Sequence, residues 1–269
     1  MRYLPCARWL VIALLLLLAP AADAGYALVD EGGHQTLISR GRLKIAPRDG
    51  DVSMVMDVGR GRMMVADAKR RLYWEGTVEQ YCQEMQGAMA GAMAEMEKQM
   101  AEHLKDMPPA QRQQMEQMMR QMGRGSAAGA PAGPPPQVTV ERTNETATIA
   151  GLAARKYRVL SNGTAYEEVW LTSDAALLRE VEAGRAPDTL GRMSGCMASA
   201  GSDRPAATAE YRKLFAEGWP LKLTYLAGGN RGGTTVMTVE RRDIPDTEFA
   251  VPTAYRAAPL GELFGTRGR

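Results

Sequence analysis

The sequence predicts an α+β protein built on an antiparallel sheet. Strand-like runs come first, helical segments follow, and strand-like runs then return, without the regular strand–helix alternation that is typical of parallel sheets. The strand-like runs are short and are separated by turn residues such as Gly and Asp, which indicates hairpin connections. We therefore expect one antiparallel sheet with helices packed on one of its faces.

Residues 26–76 are predicted to form a meander of four or five strands. A tight reversal is expected at residues 67–70, before the last strand of the meander. Consecutive strands joined by such short turns are expected to pair with each other. The strand-like runs are residues 37–39, 42–45, 52–56, 63–66 and 71–74.

A long helix is predicted after the meander. Thr77 and Gln80 form a capping-box pattern, in which a threonine at the cap is followed three positions later by a glutamine. The helix is expected to run to about Asp106, because the prolines after Met107 remove backbone donors and disfavour helical geometry before them.

Methionines are concentrated in this region, since ten of the 18 in the chain lie between Met85 and Met122. A second helix is predicted at residues 110–122, so residues 77–122 would form a helical hairpin, followed by a Gly/Ala/Pro-rich linker at 123–136. Residues spaced by three or four positions place one stripe on the first helix: Cys82, Met85, Met89, Met93, Met96, Met100, His103 and Met107.

The chain after the linker is predicted to return to the sheet. The whole of residues 25–260 is expected to form a single α+β domain, with residues 261–269 as a polar tail. Strands are predicted at 137–148, 154–160, 164–172, 220–226 and 234–241, and short helices at 174–182, 189–200 and 206–217.

The first 24 residues have the pattern of a signal peptide. Arg2 and Arg8 precede an apolar run at residues 9–19, and small residues before Gly25 fit a cleavage site near Ala24. The apolar run is shorter than the roughly 20 residues that span a bilayer. We therefore expect a periplasmic or secreted protein without a transmembrane segment.

Charge and histidine content favour a non-enzymatic protein that does not bind nucleic acid. Without the leader, which holds two Arg and one Asp, the 33 basic and 31 acidic residues become 31 and 30, so the charge is nearly balanced. The mature chain has only His34 and His103, and neither lies in a catalytic motif. Glu167 and Glu168 are adjacent on a predicted strand and would point to opposite faces, which favours a solvated edge and a cross-strand partner over an acid–base pair.

Two cysteines, Cys82 and Cys196, remain after removal of the leader. An oxidising compartment favours a disulfide between them. Two buried free thiols, or a metal or redox role, are the alternatives, although redox pairs usually lie close together in sequence.

Three groups of motifs resemble a bacterial secreted family known as domain of unknown function 4412. They are residues 149–151 with 157–159 and 168–170, residues 218–221 with 234–235 and 239–240, and residues 244–245 with 249–252 and Tyr255. The family resemblance implies no activity and no catalytic residues. The family is similar in architecture to the periplasmic lipoprotein-carrier fold, which implies a curved, half-barrel sheet around helices with an apolar concave face.

The methionine stripe has three interpretations. It could pack the helix onto the core, it could bind apolar partners of varied shape, or it could bind Cu(I) through thioethers. We predict a protein that binds a hydrophobic ligand or an apolar protein segment, with a periplasmic copper-binding protein or an envelope interaction protein as alternatives. The predicted ligand-binding residues are Met85, Met89, Met93, Met96 and Met100, and the alternative copper ligands are Met100, His103 and Met107.

Overall fold

The computed structural model describes residues 24–105, 108, 136–183, 185–199, 205, 208–227 and 232–264. The first six strands are β1 (Ala24–Asp30), β2 (Gln35–Ser39), β3 (Arg42–Ala46), β4 (Val52–Asp57), β5 (Arg62–Asp67) and β6 (Leu72–Thr77). The remaining strands are β7 (Val138–Ile149), β8 (Leu152–Ser161), β9 (Thr164–Thr172), β10 (Trp219–Tyr225), β11 (Gly233–Asp243) and β12 (Arg256–Ala257). The helices are α1 (Val78–Lys105), α2 (Ala175–Val181), α3 (Ala186–Ser199), α4 (Ala209–Ala216), α5 (Leu260–Phe264) and a 3-10 helix (Asp246–Phe249).

Within these residues the strands form one open sheet in the order β12-β6-β5-β4-β3-β2-β1-β11-β10-β9-β8-β7. All neighbouring strands run antiparallel except β12, which pairs in parallel with β6. The predicted α+β class and antiparallel sheet are therefore confirmed. Among the described helices, none is long and apolar enough to cross a membrane.

The predicted meander is present as β2 to β6. The reversal at residues 67–70 is stabilised by Asp67, whose carboxylate accepts hydrogen bonds from the backbone N–H of Arg70 at 2.8 Å and from its Nε at 2.6 Å. At the β2–β3 turn Arg40 and Gly41 both have positive φ, a backbone geometry that suits a two-residue hairpin turn.

Both faces of the N-terminal half of the sheet are covered. Ile38, Met56 and Met63 belong to the main core, whereas their neighbours Leu37, Val55 and Met64 belong to a second cluster with Ile244 and Phe249. Neighbouring side chains on a strand point to opposite faces, so two separate clusters mean two covered faces. This explains why residues 63–66 are all buried and read as a continuous apolar run in the sequence.

The C-terminal half of the sheet is covered by α4. Tyr211 and Leu214 of this helix pack with Val159 and Val169 in a third cluster. The predicted turn at Asn162 and Gly163 joins β8 to β9, and both residues have positive φ.

Packed structure continues beyond residue 260, where the sequence predicted a polar tail to begin. Helix α5 contains Leu260 and Leu263, which are both buried. Arg70 donates hydrogen bonds to the carbonyl oxygens of Glu262 and Leu263 at the end of this helix. The domain therefore extends to at least Phe264, beyond the boundary predicted at residue 260, because leucines three positions apart share one face of a helix turn and bury it.

Candidate functional site

The candidate site is the long helix α1, which begins as the sequence predicts. The backbone N–H of Gln80 donates to Thr77 Oγ1 at 3.2 Å, and the backbone N–H of Thr77 donates to Gln80 Oε1 at 2.8 Å. This reciprocal pair is the capping box, which satisfies amide donors that the first helical turn leaves free. Helix α1 is described from Val78 to Lys105, and its predicted end near Asp106 lies outside the described residues.

The inner half of α1, residues 78–88, is fixed to the core. Val78 and Tyr81 are buried, and the ring of Tyr81 packs edge-on against Trp74 at 5.8 Å between centroids. Burial raises the pKa of the Tyr81 hydroxyl, so it stays neutral. Helix α1 also contacts α3 and α5, and Ala88 lies beside Gly261 of α5.

Polar contacts also hold the inner half. Glu84 accepts hydrogen bonds from Trp74 Nε1 at 2.8 Å and from the backbone N–H of Leu260 at 3.0 Å, and so links α1 to β6 and α5. Glu79 pairs with Arg192 of α3 at 2.9 Å. The pKa of Glu79 lies below its usual value, first because of its own backbone N–H and Thr77 at the helix start, and then because of Arg192.

The outer half of α1, residues 90–105, has a different environment. Every described side chain between residues 90 and 102 is exposed, including Met96 at 56% and Met100 at 41%. A side chain added at Gly91 would meet no atom within 4 Å. At 1.5 Å per residue this half is about 24 Å long. It presents methionines four positions apart, which are neighbours on a helix surface.

The structure therefore divides the predicted methionine stripe. Met85 is half-buried and packs against the main core, as the packing interpretation predicts. Met96 and Met100 are exposed. The side chains of Met89 and Met93, the predicted second helix and the linker lie outside the described residues.

The described residues include only some members of the predicted copper and disulfide sites. The side chains of His103 and Met107 lie outside the described residues, so copper binding with Met100 stays a prediction. Among the residues that are described, no group of three or more His, Cys, Asp and Glu side chains has the arrangement of a metal site. Cys82 is disulfide-bonded. The side chain of Cys196 is outside the described set, and its pairing with Cys82 stays a prediction, although α3, which carries it, packs on α1.

The two adjacent glutamates of β9 lie in different environments. Glu167 is fully buried and accepts a hydrogen bond from Tyr211 Oη at 2.7 Å, which ties α4 to the sheet. Burial, and then the Glu167 carboxylate, raise the pKa of Tyr211. Glu168 pairs with Lys156 on the neighbouring strand at 2.8 Å. The predicted cross-strand partner is therefore present for Glu168. The predicted solvated edge is wrong for Glu167, because α4 covers this side chain.

The anchoring residues of α1 escaped the sequence analysis. Glu84 and Trp74 lie in no motif, and their partner Leu260 lies in a segment predicted to border a polar tail. In the sequence Trp74 and Glu84 are simply ten residues apart. Their hydrogen bond could be predicted only if the geometry of the β6–α1 turn were known.

Comparisons with known proteins place the chain in a family of unknown function. A family model described as "Domain of unknown function (DUF4412)" matches residues 52–255, from β4 to the segment after the 3-10 helix. None of the curated proteins matches the sequence.

Solved structures that match include PNGF-II in space groups P21 and C2, both at 9% identity, with TM-scores of 0.33 and 0.34. The matches cover 87% of this chain and 31% and 30% of those chains. The chain thus spans less than a third of the length of these structures.

Proposed function

The chain belongs to the DUF4412 family, as its motifs predict, and we propose that it is a non-enzymatic protein that binds an apolar protein segment on the outer half of α1. The observation that carries this proposal is the exposure of Met96 and Met100 on a helix whose inner half is fixed to the core. The leader pattern supports action in the periplasm or outside the cell.

Methionine suits this role better than the other large apolar side chains. It is unbranched and polarizable, so it adapts its shape to different partners. Exposing two such side chains side by side leaves apolar surface in water that a partner could bury. The small residue Ala92 lies four positions before Met96 on the same side of the helix, so a partner helix could approach closely beside the methionines.

A protein segment is favoured over a lipid held between sheet and helices. In the carrier-like version of the prediction, a curved half-barrel sheet would hold the ligand and the methionine face would act as a lid. The main core, however, is filled by the protein's own side chains, among them Trp74, Tyr81, Leu177 and Leu260, all at most 6% exposed. A lipid there would have to displace the inner half of α1 and its hydrogen bonds.

The test uses the mature protein and a synthetic amphipathic leucine-rich helical peptide with a fluorophore. We expect M96Q/M100Q to lose peptide binding in fluorescence anisotropy, while the far-UV circular dichroism stays unchanged, because Gln and Met have similar helix propensities. The matched control is M237Q, which alters another exposed methionine, at 59% on β11. Equal binding by wild type and M96Q/M100Q would refute the proposal.

Native mass spectrometry of protein purified from its own compartment separates the alternatives. A lipid adduct that survives M96Q/M100Q would favour the carrier-like version. A copper adduct lost when Met100, His103 and Met107 are changed together would favour the copper-binding alternative. A dimer lost in M96Q/M100Q would point to self-association.

A further inference from the structure

We propose that Met96 and Met100 form an oxidant-responsive site, at which a hydroperoxide converts the thioethers to sulfoxides and switches off apolar binding while the fold persists. The release of a partner rests on the proposed function above. The selective oxidation rests on the structure alone.

The structure separates the methionines of the described chain by access to solvent. Met96 and Met100 are 56% and 41% exposed, whereas Met56, Met63 and Met64 of the sheet are 4%, 1% and 6% exposed. A peroxide must reach the sulfur atom to react, so oxidation follows exposure. The exposed pair should therefore react long before Met56, Met63 and Met64, and so should Met237, which is 59% exposed on β11.

The chemistry is a two-electron oxygen transfer. A lone pair of the sulfur attacks one peroxide oxygen, an S–O bond forms, and the O–O bond breaks. The sulfur loses two electrons, and the other oxygen leaves as water after it takes up the proton from the transferred oxygen. With an organic hydroperoxide the leaving product is the alcohol. Methionine sulfoxide reductases reverse the modification.

The position of the pair on α1 makes the change local. A sulfoxide is polar and hydrated, so two of them four positions apart replace apolar surface with polar surface on the same stretch of helix. The fold is protected because the inner half, with Tyr81, Cys82 and Glu84, holds α1 in place independently of the outer half. Oxidation of a core methionine such as Met63 would instead put a polar group into a packed interior.

The experiment exposes the mature wild type and the M96L/M100L and M237L variants to dilute hydrogen peroxide. Leucine stays apolar but has no sulfur to oxidise. Peptide mass spectrometry follows oxidation at each methionine, and binding of the labelled leucine-rich peptide is measured before and after treatment. A final incubation with methionine sulfoxide reductases A and B tests reversal.

We expect Met96 and Met100 to be oxidised at least tenfold faster than Met56 and Met63. Wild type and M237L should release the peptide on oxidation and recover it on reduction, while M96L/M100L should keep it throughout. Circular dichroism should not change in any of the three proteins.

Two results would overturn the inference. One is oxidation of Met56 or Met63 at the rate of the exposed pair. The other is release of the peptide from oxidised M96L/M100L to the same extent as from wild type. If unoxidised wild type does not bind the peptide at all, the proposed function and the release fail together, and the site-resolved rates still decide whether the oxidation site exists.

Discussion

The inner and outer halves of α1 share one sequence pattern and lie in opposite environments. Both carry methionines spaced by three or four residues, yet Met85 packs against the core and Met96 is more than half exposed. Helices α3 and α5 contact the inner half, where Arg192 pairs with Glu79 and Gly261 lies beside Ala88. Every described side chain between residues 90 and 102 is exposed. An amphipathic stripe therefore predicts which face is apolar, and distant segments decide how much of that face is buried.

Truncation of Tyr81 should have the largest effect, because it removes a buried ring from the inner half. We expect Tyr81→Ala to lower the free energy of unfolding by about 3–5 kcal/mol, as for other buried aromatic side chains. Urea unfolding followed by tryptophan fluorescence measures this. Tyr81→Phe keeps the ring and serves as the control. A loss below about 1 kcal/mol for the alanine variant would mean that the inner half is not an anchor.

Removal of the Glu84 carboxylate should have the next largest effect. Glu84→Ala leaves Trp74 Nε1 and the N–H of Leu260 without their acceptor. We expect a loss of about 1–3 kcal/mol, together with faster amide exchange in α5. Gln83→Ala, at an exposed position of the same turn, should change stability by less than about 0.5 kcal/mol. The same loss in both variants would argue against a specific link between α1 and α5.

The same substitution in both halves gives the most direct comparison. Met85→Ala should cost about 1–2 kcal/mol, roughly half the range for a fully buried methionine, because Met85 is only half-buried. Met96→Ala should cost less than about 0.5 kcal/mol. Thermal unfolding monitored by circular dichroism ranks the two. Equal costs would show that the outer half is packed against something in solution.

Acid should slightly weaken the attachment of α5 through Asp67. Burial would raise the pKa of this carboxyl, but the hydrogen bonds and charge of Arg70 outweigh burial and hold it below its ordinary 3.8. Because the folded-state pKa is the lower one, the pair stabilises the protein above about pH 4 and loses this contribution as the pH falls through the folded-state pKa. Arg70 also holds the last carbonyls of α5, so α5 should loosen with it.

Urea unfolding between pH 7 and pH 2.5 tests the acid effect. We expect the wild type to be more stable than Asp67→Asn at neutral pH, and the difference to shrink as the pH falls. A difference that is the same at both ends of the range would show that the charge of Asp67 does not contribute.

Local features of the fold were predictable from the sequence, and features that depend on distant contacts were not. The capping box at Thr77 and the turn at Asn162 involve residues within four positions of each other, so their side-chain chemistry alone defines them. Burial of Leu260 depends on Glu84 and β6, which lie far away in sequence. The methionine stripe was predicted as one continuous surface, because the sequence of α1 does not show which part of the helix the distant helices α3 and α5 cover.

The two halves of the sheet are joined by the pairing of β1 with β11, and this pairing affects the order in which the strands can fold. Strands β1 to β6 and strands β7 to β11 each pair with their sequence neighbours, and the pairing of β1 with β11, with Ala24 opposite Asp243, connects the two sets. Closing a contact between residues so far apart is slow, whereas hairpins within each set form early. A chain that emerges from its N-terminus thus completes the first set while one edge of β1 is still unpaired. That edge can associate with other chains until residues 233–243 are available, so β11, a late strand in the chain, protects β1.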